Sequence, residues 1–181
     1  PKTCAPPPEP IPEGIDWDAW LGPAPKRGFN KILCPDDVHN HFPAWRNYRE
    51  YCNGPLADIG AHHFDIGQWA MDADDTGPVK ILPPEEGESE LKLIYANGVE
   101  VIHGRDPEWK GGTIFYGTEG TIWVDRGPWK SDPESLIKEY EASVTLRQPR
   151  NHHEDWLDCI HSGEMPMAHA EAGHRTASIC Q

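Results

Sequence analysis

The sequence predicts an α+β fold, an α/β sandwich whose mixed, mostly antiparallel β-sheet carries helices on one face. Three observations lead there. Short runs in which apolar residues alternate with polar ones fall between residues 79 and 125, the pattern of half-buried strands. Stretches with helical spacing and recognisable start and stop residues lie on either side, at 55–71 and from 151 onwards. The resulting order of helix, sheet and helix segregates the two kinds of element, which favours a sheet covered on one side over a doubly wound parallel one. The chain has 181 residues, enough for one substantial core but not for a second full domain.

Taken in order, residues 1–14 (PKTCAPPPEPIPEG) form a proline-rich lead-in, because each proline removes a backbone donor and fixes φ. Residues 15–181 are read as one α/β domain. In IDWDAWL, Asp16 is a helix N-cap ahead of Trp17, Trp20 and Leu21, and Gly22 with Pro23 ends the helix. A long irregular stretch runs to Asn53, with Trp45, Tyr48 and Tyr51 set among charged residues; loops of this length often carry function. PLADIGAHHFDIGQWAM, 55–71, reads as a helix opened by Pro55. ELKLIYA and VEVIHG flank Asn97-Gly98, which predicts a hairpin with a type I′ turn. Thr113–Tyr116 and Thr121–Asp125 flank GTEG and form a second hairpin, so a sheet of at least four strands is expected. Val79–Leu82 adds a strand, and Val144–Leu146 is either another strand or connection. Asn151–His161, from an Asn cap to Gly163, and His169–Cys180 close the chain as helices.

Charge narrows the partners. With 16 basic against 30 acidic residues, the net charge of −14 repels phosphate backbones and anionic lipid surfaces, so neither nucleic acid nor membrane is expected. No apolar run reaches the ~20 residues that span a bilayer, and no leader opens the chain. The five cysteines are odd in number, scattered and without C-x-x-C spacing, which points away from a disulfide frame and towards a reducing, cytoplasmic setting, with a periplasmic one the alternative for a full-length parent that has a leader. Both ends read as cut from something longer.

On the 55–71 helix, Asp58 and His62 stand four apart and share a face with Asp65 and Trp69. A carboxylate beside an imidazole can orient the ring and raise its basicity, as proton abstraction from a hydroxyl requires. The same spacing also serves as an ordinary helix-surface pair, and spacing alone does not separate the two.

The stretch GPLADIGAHHFDIGQWA, 54–70, resembles the pattern of the Gfo/Idh/MocA oxidoreductase family: a glycine-led helix carrying D-x-x-x-H, a further Asp and a terminal Trp. WDAWLGPAP (17–25), NHFPAWRNYREY (40–51), YGTEGTIWVDR (116–126) and AEAGHRTASIC (170–180) agree, so the resemblance covers most of the chain. It implies the C-terminal, substrate and oligomerisation domain of such an enzyme, with Asp58 and His62 in the catalytic group, His62 accepting the proton while hydride passes to NAD(P). The catalytic lysine would come from the nucleotide-binding domain. No G-x-G-x-x-G follows a strand here, so NAD(P) is not expected to bind this chain alone, nor is the chain alone expected to act as a dehydrogenase. The resemblance further implies a sugar, glycoside or polyol substrate and a homo-oligomer built through the open sheet face, near Trp109, Trp123 and Trp129.

His41, Trp45, Arg46, Tyr48 and His174 are the candidate substrate-binding residues. Indole faces stack on sugar C–H faces, and a guanidinium donates to hydroxyls or carboxylates; core packing and a surface ion pair are the bland alternatives for Trp45 and Arg46. A physiological metal is not expected; were one present, His39, His41, Asp58 and His62 would be its ligands. His62 and His63 project about 100° apart on an ideal helix and would not share an ion. Two other functions fit the same residues: a metal-assisted hydrolase or oxidase acting on carbohydrate through the His/Asp cluster, and a carbohydrate- or protein-binding domain without chemistry.

Overall fold

The computed structural model describes residues 2–35, 43–87, 89–104, 106–109, 111–138 and 151–181. The chain divides into two compact units: Pro1–Ala61 with Cys180–Gln181, and His62–Ile179.

The first unit is built around the lead-in strap. Its prolines keep residues 3–12 extended, and the strap is held by Glu9 N–H donating to Phe29 O (2.7 Å), by Asn30 Nδ2 donating to Pro7 O (2.8 Å), and by a parallel bridge between Lys2 and Tyr48. Helix α1, Trp17–Leu21, starts as expected from Asp16, whose carboxylate accepts the Ala19 N–H at 3.0 Å. Trp17 and Leu21 face inward and bury against Cys4, Phe29 and Leu33, while Trp20, Trp45, Tyr48 and Tyr51 pack around that nucleus. Trp17 and Trp20 stack at 4.6 Å, and the Phe29 ring meets Trp17 edge-on at 5.2 Å. A 3-10 turn over Ala44–Asn47 leads to Tyr48, whose carbonyl accepts the N–H groups of Tyr51, Cys52 and Asn53.

The predicted 55–71 helix is in two pieces, α2 (Pro55–Asp58) and α3 (Gly60–Ala70). Ile59 between them keeps right-handed helical backbone angles. Pro55 sits in the first turn of α2, where a missing N–H costs nothing.

In the second unit, β1 (Lys80–Leu82), β2 (Leu91–Ile94) and β3 (Glu100–His103) form one antiparallel sheet in sequential order. A second sheet contains β4 (Thr113–Tyr116), β5 (Thr121–Val124) and β6 (Trp129–Asp132). The α+β class is therefore as predicted, but among the described residues the strands divide into two three-stranded sheets instead of joining in one sheet of four or more. All strand pairs among the described residues are antiparallel. The β2–β3 hairpin exists with a different turn from the one expected. Gly98 alone of its loop residues takes a positive φ (88°), Gly98 N–H donates to Tyr95 O, and Tyr95 N–H donates to Val99 O. This is a type I turn closed by a left-handed glycine, which asks nothing unusual of Asn97. Instead, Asn97 Oδ1 accepts the Val99 N–H at 3.1 Å.

The core of this unit joins α3 to the first sheet. Phe64 and Gln68 of α3 are buried, as are Leu93 and Tyr95. Short helix α4 (Ser135–Lys138) follows β6. Helix α5 (His152–Ser162) starts from Asn151, whose side chain accepts the Glu154 N–H, and stops at left-handed Gly163, both as the sequence predicted. Asp155 of α5 is buried and accepts the Met167 N–H at 2.9 Å. Helix α6 spans Ala170–Cys180, and Thr176 on it donates to Asp65 of α3 at 3.0 Å. The segment containing Val144–Leu146 lies outside the described residues. Among the described residues, no helix is long and apolar enough to cross a membrane.

Candidate functional site

Asp58 is the last residue of α2 and is positioned from two sides of the first unit. Gly54, with φ of 86°, turns the chain into α2 and donates its N–H to Arg46 O at 3.0 Å. That bond brings the 3-10 turn against α2, and Arg46 Nη1 in turn donates to Asp58 Oδ1 in a close ion pair. Both side chains are mostly buried, so the pair is shielded from the screening that weakens surface ion pairs. The Arg46 guanidinium also lies 5.1 Å over the Trp45 ring. Arg46 thus links the carboxylate of the D-x-x-x-H motif to the aromatic residue predicted to touch substrate. Next to this pair, burial pushes the Cys52 thiol up, and the Asp58 charge pushes it the same way against the opposing effect of Arg46.

Trp45 also lines a cleft of about 540 Å³ in the first unit, together with Trp20, Tyr51, Glu50 and two prolines, Pro23 and Pro25. Glu50 accepts the Cys4 N–H through both oxygens (3.2 and 3.1 Å) and lies 3.4 Å from Arg27 Nη2. Hydrogen bonds from its own amide and from that of Cys4, with the Arg27 charge, hold its carboxyl below the usual carboxylate range, burial opposing them. The Arg27 guanidinium lies 5.7 Å over Tyr51.

The remaining predicted residues are placed as follows. Tyr48 packs against the core of the first unit and is not among the residues lining the cleft. His62 is the third residue of α3 and is exposed. His174, on α6, is exposed as well. His39 and His41 lie outside the described residues, and with them the four-residue metal set. Among the described residues, no group of three or more His, Cys, Asp or Glu side chains is arranged to hold a metal ion.

Sequence reading missed a histidine–carboxylate pair. His63 Nε2 lies 3.2 Å from Asp125 Oδ1, just beyond the end of β5, and the His63 carbonyl accepts Thr113 Oγ1 from β4 at 2.9 Å. The first turn of α3 is thereby fixed to the second sheet at side chain and backbone. The Arg126 amide, and then His63, hold the Asp125 carboxyl below its ordinary range, burial opposing them. The two partners stand 62 positions apart, and nothing local in the sequence announces the pairing. The Arg27–Glu50 pair and the contribution of Trp20 and Tyr51 to the cleft were missed for the same reason.

The α+β domain carries an Asp–Arg pair beside an aromatic cleft in its first unit, and a histidine stands four positions beyond that Asp in the sequence. The model of the oxidoreductase family C-terminal alpha/beta domain matches residues 3–181. The chain belongs to the Gfo/Idh/MocA oxidoreductase family, as its C-terminal α/β domain. No match was found among curated proteins.

Proposed function

We propose that this chain is the substrate-binding and proton-transfer domain of an NAD(P)-dependent oxidoreductase acting on a sugar, glycoside or polyol. The observation that carries the reading is the family match across residues 3–181, with Asp58 and His62 standing at the D-x-x-x-H positions of α2 and α3. His62 would take the proton of the substrate hydroxyl, and NAD(P), when bound, would supply the hydride acceptor, so that one hydride and one proton leave the carbinol and a carbonyl remains. Asp58, steadied by Arg46, contributes negative charge to the group that must stabilise the protonated imidazole. Its exposure leaves His62 open to solvent and hence to a bound substrate.

The nucleotide is held by a separate domain, and the chain by itself neither binds NAD(P) nor turns over. Trp45 and Arg46 contribute to substrate contacts, with His41, Tyr48 and His174 as further candidates. A homo-oligomer forms through an open sheet face, a reading supported by the exposure of Trp129 on the edge strand β6. The setting is cytoplasmic.

The test is nucleotide reduction by the complete enzyme over a panel of neutral sugars and cyclitols, with His62→Gln and Asp58→Asn alongside. His62→Gln is expected to lower kcat by ~10²–10⁴, the usual contribution of a general base. Full activity in His62→Gln would remove the proton-transfer assignment. Tight nucleotide binding by the isolated chain would remove the division of labour.

A further inference from the structure

The first turn of α3 is held at both of the residues that follow His62, and to a different sheet at each. His63 Nε2 donates to Asp125 Oδ1 at 3.2 Å, since a carboxylate can only accept, and the His63 carbonyl accepts Thr113 Oγ1 at 2.9 Å. Thr113 and Asp125 come from the same end of the second sheet: Thr113 pairs with Val124, the residue before Asp125. Thr113 is fixed in its turn. Gly112 before it, with φ of 78°, packs so closely on β5 that a Cβ there would lie 2.7 Å from Val124 O. On the other side, Phe64 is buried and its ring stacks on His103 of β3 at 6.0 Å. All of these residues lie in the second unit, as does His62.

His62 is exposed, so its direction is set by the backbone of the turn that carries it. Successive side chains on a helix diverge by about 100°, and holding His63 on the second sheet therefore points His62 away from that anchor. A turn held at one point can still rotate about it. Held at the His63 side chain, the His63 carbonyl and the Phe64 ring, it has no such freedom. The His63 and Asp125 side chains are both partly buried, which shields their pairing from the screening that loosens surface pairs. Proton transfer depends on such fixing. A base must stand within ~2.6–3.2 Å of its partner atom, and a misplacement of ~1 Å can cost ~10²-fold in rate.

We propose that His63, Asp125 and Thr113 are positioning residues that aim the His62 imidazole at the substrate hydroxyl without touching substrate themselves. The proposal rests on the base role given to His62 above, and its test separates the two. In ¹⁵N relaxation of the chain without substrate, the His62 amide should show an order parameter of ~0.85, falling below ~0.6 in Thr113→Val/Asp125→Ala. Thr113→Ser and Asp125→Asn, which keep the hydroxyl and the acceptor oxygen, should hold the wild-type value. In the complete enzyme with the sugar and cyclitol panel, Thr113→Val and Asp125→Ala should each lower kcat by about 10–100-fold. KM and the acid limb of kcat/KM against pH should stay in place, and the serine and asparagine variants should recover most of the rate. Because both changes act through His63, the double variant should lose less than the product of the two single losses. Where the double variant does not fold, Thr113→Val carries both readouts, and the relaxation readout decides where no sugar of the panel is oxidised. Equal losses in the deleting and conserving variants would overturn the proposal, as would a displaced acid limb, which would make the His63–Asp125 pair the titrating group. An unmoved His62 amide beside an inactive His62→Gln would remove the clamp alone, whereas full activity in His62→Gln would remove the base reading and the proposal with it.

Discussion

Replacing Tyr95 by Phe tests how the second unit is held together. Gln68 of α3 is only 1% exposed, and its amide makes three hydrogen bonds inside the protein. Nε2 donates to Ala73 O at 2.8 Å and to Thr76 O at 3.0 Å, and Oε1 accepts the Tyr95 hydroxyl. Tyr95 is itself 5% exposed, so water cannot replace the lost hydroxyl. Tyr95→Phe leaves the ring packing intact and a buried amide oxygen without its donor, at a cost of about 1–3 kcal/mol. Urea unfolding followed by near-ultraviolet circular dichroism should report a lower midpoint with an unchanged m-value. In thermal unfolding the same loss should appear as about 2–4 °C per kcal/mol. Gln68→Met/Tyr95→Phe supplies the sharper check: once the acceptor is gone, removing the hydroxyl strands nothing. The double variant should therefore cost less than the two single variants together, by roughly 0.5–3 kcal/mol. A neutral Tyr95→Phe, or strict additivity in the cycle, would refute this account of the α3–sheet junction.

Gly28→Ala should destabilise the first unit by about 1–3 kcal/mol, because the new methyl would lie 2.5 Å from Pro8 Cβ and 3.3 Å from Pro8 Cα in the strap. Gly67→Ala is the matched control: its methyl meets nothing within 4 Å on α3, so chemical denaturation should show a gain of about 0.5–1 kcal/mol. The depressed Glu50 carboxyl makes an acid-side prediction. Its folded pKa lies below the ordinary 4.5, so its stabilisation is fully present above that pH and is lost as pH falls through the folded value. Glu50→Gln, which cannot titrate, should flatten the fall in stability on the acid side of pH 4.5; an unchanged slope would show that other carboxylates govern that limb.

Where local chemistry decides an element, the sequence was sufficient to find it. Asp16 and Asn151 cap helices, Gly163 stops one, and the alternation through 91–103 and 113–124 forms strands. Strand β6 was not visible because Trp129–Asp132 has no apolar alternation; its ladder with β5 determines its conformation. The Asn97-Gly98 turn was misread because the dipeptide also suits a type I turn with a left-handed glycine, and hairpin register decides between them. At the site, the D-x-x-x-H spacing singled out Asp58 and His62, yet the partners that steady the neighbourhood came from elsewhere. Arg46 reaches Asp58 from 12 positions away, and Asp125 reaches His63 from 62. Pairing at such separations is a property of the folded chain, which no window of local residues contains.

Both sheets are simple meanders, each drawn from one uninterrupted stretch, 80–103 and 113–132, with every strand beside its neighbour in sequence. On the ribosome this matters. A hairpin closes in ~1–10 μs, whereas synthesis adds only ~5–20 residues per second. Each meander can therefore pair as soon as its third strand has left the exit tunnel, without waiting for a distant partner as a parallel sheet must. The interval in which a nascent strand edge is open to another chain is correspondingly short.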